Sequence, residues 1–210
     1  YLLDCKKGNP KKFKAVVLVD PLAETAPRDL QKLVEQGADG LRINLHLNPV
    51  EKYQHRGFFK LIEQCGLVRL PVCLQLTPGY LDFLAELSAR YPVKFIIDHL
   101  GRPDAGASPQ DEKFKKLLNL SNQSNVFIKL SGMNYYSKKA APYPDTWDLL
   151  RAAKEHFGAD HCLWGSDFPF IQEHWSYEQN INLFREELHF TEYDLDWIME
   201  KTAKSLWWHA

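Results

Sequence analysis

No apolar run in this 210-residue chain approaches the roughly 20 residues needed to cross a bilayer. The opening residues, Tyr1-Leu2-Leu3-Asp4-Cys5 followed by lysines, lack the pattern of a secretory leader. Neither sign of charge is in excess. Lys and Arg number 26 against 27 Asp and Glu, a net charge of −1, so there is no electrostatic reason to expect a nucleic acid or an anionic membrane as partner. Cysteine is scarce: Cys5, Cys65, Cys73 and Cys162 are scattered with no CxxC pair. That spacing favours free thiols in a reducing compartment, and a cytoplasmic location is the expectation. HExxH, GxSxG, the P-loop and GxGxxG are all missing, so nothing supports zincin chemistry, a serine nucleophile or nucleotide binding. No low-complexity segment, short-period repeat or linker divides the chain.

What is present is enough for one core. With 45% hydrophobic and 25% charged residues, 1–210 reads as a single domain. Positions 1–8 look like the last turns of a helix, with Lys6 and Lys7 near its end and Gly8 and Pro10 as stop signals. A pattern then recurs. Apolar runs at 13–19, 40–45, 71–76, 93–99, 125–131 and 161–165 alternate with helical periodicity at 27–36, 55–64, 80–90, 109–119 and up to Phe157, the last with Asp145 as N-cap. Two amphipathic helices, 176–188 and 191–208, close the chain, the second capped by Thr191. About six strand–helix units with Val- and Ile-rich strands predict a parallel sheet covered by helices. An open doubly wound sheet and a (β/α)8 barrel lacking its first two units both fit. The helix tail at Tyr1 and the roughly 250 residues of a complete barrel favour the second: a TIM-barrel type, N-terminally truncated to about six βα units.

Polar groups at the C-terminal tips of such strands are where these folds keep their sites. Leu163-Trp164-Gly165-Ser166-Asp167-Phe168-Pro169 delivers Asp167 to a crevice, as base, metal ligand or hydrogen-bond acceptor, or else as an Asx turn ahead of Pro169. Phe95-Ile96-Ile97-Asp98-His99 ends on an imidazole that could ligate a metal or move protons, or be a core histidine bonded to a carbonyl. In a regular strand Asp98 and His99 point to opposite sides; His99, which shares a face with Phe95 and Ile97, is the expected inward residue. Arg42 interrupts an apolar strand and could bind a substrate carboxylate or form a structural ion pair. Gln75 could bond a ligand in the same way, and Arg102 could reach over the pocket mouth. Lys129, on one face with Ser131, suits neutralisation of a buried carboxylate. His46 and His55 could line a rim. His161 falls at the far end of its strand, while His156, His174, His189 and His209 read as surface or helix residues. Trp207-Trp208 reads as a helix packing on the barrel wall.

Ile97-Asp98-His99-Leu100-Gly101-Arg102-Pro103, Val126-Phe127-Ile128-Lys129-Leu130-Ser131-Gly132 and Trp164-Gly165-Ser166-Asp167-Phe168-Pro169 resemble, in this order, successive strand ends of amidohydrolase-related proteins. This amidohydrolase 2 group of TIM-barrel, metal-dependent hydrolases includes sugar-lactone and 2-pyrone-4,6-dicarboxylate lactonases and, more distantly, aminocarboxymuconate semialdehyde decarboxylase. The resemblance runs along nearly the whole chain and specifies the family, not a substrate. It implies Asp167 as the base that activates water, and as a metal ligand where metal is bound. It implies His99 as metal contact or carbonyl polariser, and Arg42 as holder of a substrate carboxylate. The implied reaction is hydrolysis of a small lactone or related carboxylated ring, with one divalent ion, zinc or manganese, or with none. Decarboxylation on the same scaffold and a non-catalytic binding or scaffold role are the alternatives. The implied partner is a small molecule, with self-association left open. One departure stands out: the family begins with a strand ending in His-x-His, and this sequence has none. The expectation is therefore a fragment of a longer protein, with little or no activity in this form.

Overall fold

The computed structural model describes residues 1–173 and 175–208. His174 and His209 lie outside the described residues. Helix α1 (Leu2–Gly8) carries no buried residue and is held by its lysine: Lys6 Nζ donates to Gly37 O and to Asp39 Oδ1, both at 2.7 Å. Then follow β1 (Val16–Leu18), α2 (Ala26–Glu35), β2 (Gly40–Asn44), α3 (Arg56–Leu67), β3 (Val72–Gln75), α4 (Leu81–Arg90) and β4 (Phe95–Ile97). After these come α5 (Glu112–Asn119), β5 (Val126–Leu130), α6 (Trp147–Phe157) and β6 (Cys162–Trp164).

All five strand pairings are parallel, and the sheet runs β1-β2-β3-β4-β5-β6 without reversal. A doubly wound sheet reverses order at a switch point. Strictly sequential order is the arrangement of a (β/α)8 barrel. The six units therefore form a barrel-type α/β sheet, with β1 and β6 as its terminal strands among the described residues. Strands are shorter than their apolar runs because a strand lasts only as long as its neighbour pairs: 13–19 yields three residues, since pairing begins at Val16 opposite Gly40.

The register sorts the side chains into two faces. Leu41, Ile43, Val72, Leu74, Phe95, Ile97, Val126, Ile128 and Cys162 lie on the face covered by α2–α6 and join the main core with Leu30, Phe58, Leu61, Leu84, Phe114 and Leu150. The opposite, inner face carries Arg42, Cys73, Ile96, Phe127, Lys129 and Leu163. Near the strands' N-terminal ends this inner face is apolar. There the last helix, α9 (Thr202–Trp207), packs Leu206 and Trp207 against Cys73, Ile96, Phe127 and Leu163. The terminal tryptophan helix thus covers the inner face rather than the outer wall.

The stretches 176–188 and 191–208 are helical, but each contains a π turn. One follows α7 (Tyr177–Asn182), and the other joins α8 (Glu192–Asp196) to α9. Ser176 and Thr191 both make complete capping boxes, as expected for Thr191. Asp145 does not cap α6. Its carboxylate accepts from Ser137 Oγ and from Lys138 N, and Thr146 takes the N-cap position.

Candidate active site

The sheet's C-terminal edge gathers the charged residues. β4 ends at Ile97. Asp98 continues extended, its N–H donating to Leu74 O at 2.9 Å, and its side chain therefore alternates with Ile96 onto the inner face. His99 and Leu100 both take φ of +53°, so the chain leaves the strand there. That left-handed turn swings the imidazole back toward the same edge. The expectation that only one of Asp98 and His99 could face the centre fails because the strand does not stay regular past Asp98. Asp98 is the inward residue, and His99 is brought round by the turn. Asp167 also sits at positive φ (+54°), an uncommon backbone conformation for a residue other than Gly.

Asp98 is 1% exposed and carries no well-directed hydrogen bond; ion pairs hold both its oxygens. Lys129 Nζ lies 2.6 Å from Oδ1 and Arg42 Nη1 3.3 Å from Oδ2. Burial pushes its pKa up, but the Lys129 and Arg42 charges outweigh that and hold it below the usual carboxylate range. Lys129 is raised: burial works against the ammonium, and Cys73 and Asp98 more than offset it. Burial lifts the Cys73 thiol, 3.7 Å from Lys129 Nζ, to about 11, so it is no nucleophile at neutral pH. Arg42 also donates from Nη2 to Gln75 Oε1 at 2.6 Å and from Nε to Asn44 Oδ1 at 3.0 Å. Arg42 and Gln75 are thus brought together, committed in large part to this internal network.

Asp167 has different company. Oδ2 accepts from Tyr135 Oη at 2.6 Å, and Oδ1 lies 3.6 Å from His99 Nε2. His99 is 5% exposed, and its Nδ1 meets Ser131 Oγ at 3.1 Å. A Ser131 hydroxyl donating to Nδ1 would leave the ring proton on Nε2, the nitrogen that faces Asp167. Burial lowers the His99 pKa against the pull of Asp98 and Asp167, so the ring is neutral at neutral pH. Gly132 makes the close approach possible. Its φ is +67°, and a Cβ there would come within 2.7 Å of His99 Nδ1. The Arg102 guanidinium lies over the Tyr135 ring, 4.4 Å from its centroid, and the His99 and Tyr135 rings meet edge-on at 5.3 Å.

Three further described histidines fall elsewhere. His46 Nδ1 is 3.3 Å from Gln75 O at the rim, and His55 caps α3 through Phe58 N. His161 stacks on Phe127 at the other end of the sheet. Sequence reasoning missed Tyr135, which sits in the loop after β5 with no pattern to mark it, and it placed Asp98 on the wrong side. A signal for Asp98 existed: Lys129 and Arg42 both stand in apolar strands and need a carboxylate.

His99 and Asp167 could hold a cation between them, but a catalytic zinc takes three protein ligands. Among the described residues no group of three His, Cys, Asp or Glu side chains comes together, and both oxygens of Asp98 are taken by cations. The described residues do not fit such an ion, and no step below passes through one. No helix among them is long and apolar enough to cross a membrane.

A barrel-type parallel sheet with a carboxylate–imidazole pair at its C-terminal edge defines the class of the protein. Residues 1–207 match the amidohydrolase 2 family, described as Amidohydrolase, and the chain belongs to that family. It is 28% identical over 172 residues to a 4-sulfomuconolactone hydrolase of Hydrogenophaga intermedia, covering 80% of this chain and 54% of that protein. It is 33% identical over 98 residues to an L-fucono-1,5-lactonase of Burkholderia ambifaria, covering 45% of this chain and 33% of that one. The chain thus spans about half the length of the first relative and a third of the second. A crystal structure from Pseudomonas putida described as a 2-pyrone-4,6-dicarboxylic acid hydrolase superposes with a TM-score of 0.83 at 25% identity, over 98% of this chain and 76% of that one. A Burkholderia multivorans amidohydrolase with bound zinc has the same fold, with a TM-score of 0.81 at 19% identity over 98% of this chain and 76% of that one.

Proposed function

We propose that this site, in the protein at full length, hydrolyses the ring ester of a small lactone bearing an anionic substituent, with Asp167 as general base. The observation that carries the reading is the contrast between two carboxylates on one sheet edge. Asp98 is neutralised by Lys129 and Arg42 and spent on structure. Asp167 has no Lys or Arg partner among the described residues and faces the His99 imidazole, which leaves it unneutralised at the edge where a water can be met. Carboxylates set apart by environment are a mark of acid–base sites. The lactone-cleaving relatives support the substrate class.

In the proposed reaction Asp167 takes a proton from water, and the resulting hydroxide oxygen bonds to the lactone carbonyl carbon. His99 Nε2–H stabilises the charge that develops on the carbonyl oxygen. The tetrahedral intermediate collapses with cleavage of the ring C–O bond. The leaving alkoxide recovers the proton from Asp167, and the product is a hydroxy acid. Arg102, and the Arg42 donors left free by its network, bind the anionic substituent.

The test is Asp167→Asn in the full-length protein, assayed on a panel of carboxylated lactones with and without added zinc or manganese. Loss of turnover by about three orders of magnitude or more is expected. Wild-type rates in the variant would overturn the assignment of the base. Failure of the wild-type protein to open any lactone would replace the enzyme with a binding or scaffold protein.

A further inference from the structure

We infer that Tyr135 is a positioning residue that fixes the base and the anion-binding guanidinium in one geometry; this rests on the hydrolase reading above. Tyr135 touches both sides of the site at once. Its hydroxyl donates to Asp167 Oδ2 at 2.6 Å, and its ring carries the Arg102 guanidinium at 4.4 Å. The ring also meets His99 edge-on at 5.3 Å. A carboxylate on a loop turns freely about its last torsion. Engagement of Oδ2 by Tyr135 removes that freedom and leaves Oδ1 aimed toward His99 and the reacting water. The neighbouring backbone does not do this. Asp167 lies past the end of β6, at positive φ, in a segment whose next residues, Phe168 to Phe170, are exposed. The hydroxyl of Tyr135 is the one hydrogen bond to the Asp167 carboxylate among the described residues.

Arg102 is in a similar position. It follows the left-handed turn of His99 and Leu100, itself at φ +47°, and forms no ion pair among the described residues. The face of Tyr135 is what holds its charge over the site. One residue thereby does two separable things: the hydroxyl aligns the base, and the ring places the cation.

The separation gives the experiment. Tyr135→Phe keeps the ring and loses the hydroxyl; Tyr135→Leu loses both. Both would be assayed in the full-length protein, with a carboxylated lactone and its methyl ester, and beside Asp167→Asn. Tyr135→Phe is expected to lower kcat by about 10- to 100-fold, the scale of a misplaced catalytic group, with KM for the carboxylated lactone unchanged within about threefold. Tyr135→Leu is expected to lower kcat to the same extent and to raise KM for the carboxylated lactone but not for the ester. Unfolding midpoints within a few degrees of wild type would show that the variants fold. A crystal structure of Tyr135→Phe should show the Asp167 carboxylate rotated from its place. Wild-type kcat in Tyr135→Phe, or an unmoved carboxylate, overturns the inference. If Asp167→Asn is itself fully active, the base assignment has failed instead, and the two failures are told apart.

Discussion

The Lys129 ammonium lies 2.6 Å from the carboxylate of Asp98, which is almost wholly buried on the inner face of the sheet. Removing one partner of such a pair leaves a buried charge short of compensation, and typical costs are about 3–5 kcal/mol. Arg42 remains 3.3 Å from the other oxygen, so Lys129→Met is expected at the low end, about 3 kcal/mol, read from the denaturant midpoint. The pH dependence follows from the depressed pKa of Asp98. Its stabilisation is fully present above the unfolded value of about 4 and is lost as pH falls through the lower folded value. Lys129→Met should flatten the stability curve in that acid range.

Gly132→Ala should damage chemistry and stability together. The new Cβ would need the positive φ that side chains resist, and it would sit 2.7 Å from the His99 ring. A loss of about 1–3 kcal/mol is expected for the backbone strain. Displacement of the ring from Asp167 should add a fall in kcat of about 100-fold. A variant that is destabilised but fully active would show that His99 has no part in turnover.

The neutral state of His99 gives a third prediction. Burial lowers its pKa, so protonation begins only below the ordinary value of about 6.5. The folded state then binds fewer protons than the unfolded chain in the window between the lowered value and about 6.5. Stability contributed by His99 is therefore present above that window and lost as pH falls through it. The unfolding midpoint should therefore fall as pH drops through that window, and His99→Asn should remove this part of its pH dependence.

Reaction class is settled by the product. Lactone opening yields a hydroxy acid and takes up one equivalent of base per turnover, with no carbon dioxide. Release of carbon dioxide from a carboxylated ring would move the assignment to a decarboxylase.

Much of the fold was legible because parallel strands advertise themselves. Apolar runs such as Val126–Leu130, set between helical periodicities and cut off by Gly or Pro, leave few other arrangements. The barrel, favoured over an open sheet in the sequence, is borne out by the strictly sequential strand order. Asp167 and His99 were legible as polar ends of apolar strands. The approach of His99 to the same edge as Asp98 was not, because it depends on a left-handed turn at two residues, His99 and Leu100, that can each occupy a strand. Tyr135 was invisible for another reason: it contributes through a loop, where spacing has no period to betray it. The structure explains Gly132 in turn, since only the absence of a side chain there lets the His99 ring come so close.

The packing of Leu206 and Trp207 against Cys73, Ile96, Phe127 and Leu163 gives the inner face a dry end and a wet end. Ile96 and His99, three residues apart on one strand and its turn, stand on either side of that divide. A substitution at Ile96 should announce itself in the unfolding midpoint and leave substrate choice alone. A substitution at the loops beyond His99 should alter which molecules are accepted while the chain melts where it did before. New specificities can thus be tried at one end of the sheet without renegotiating the other.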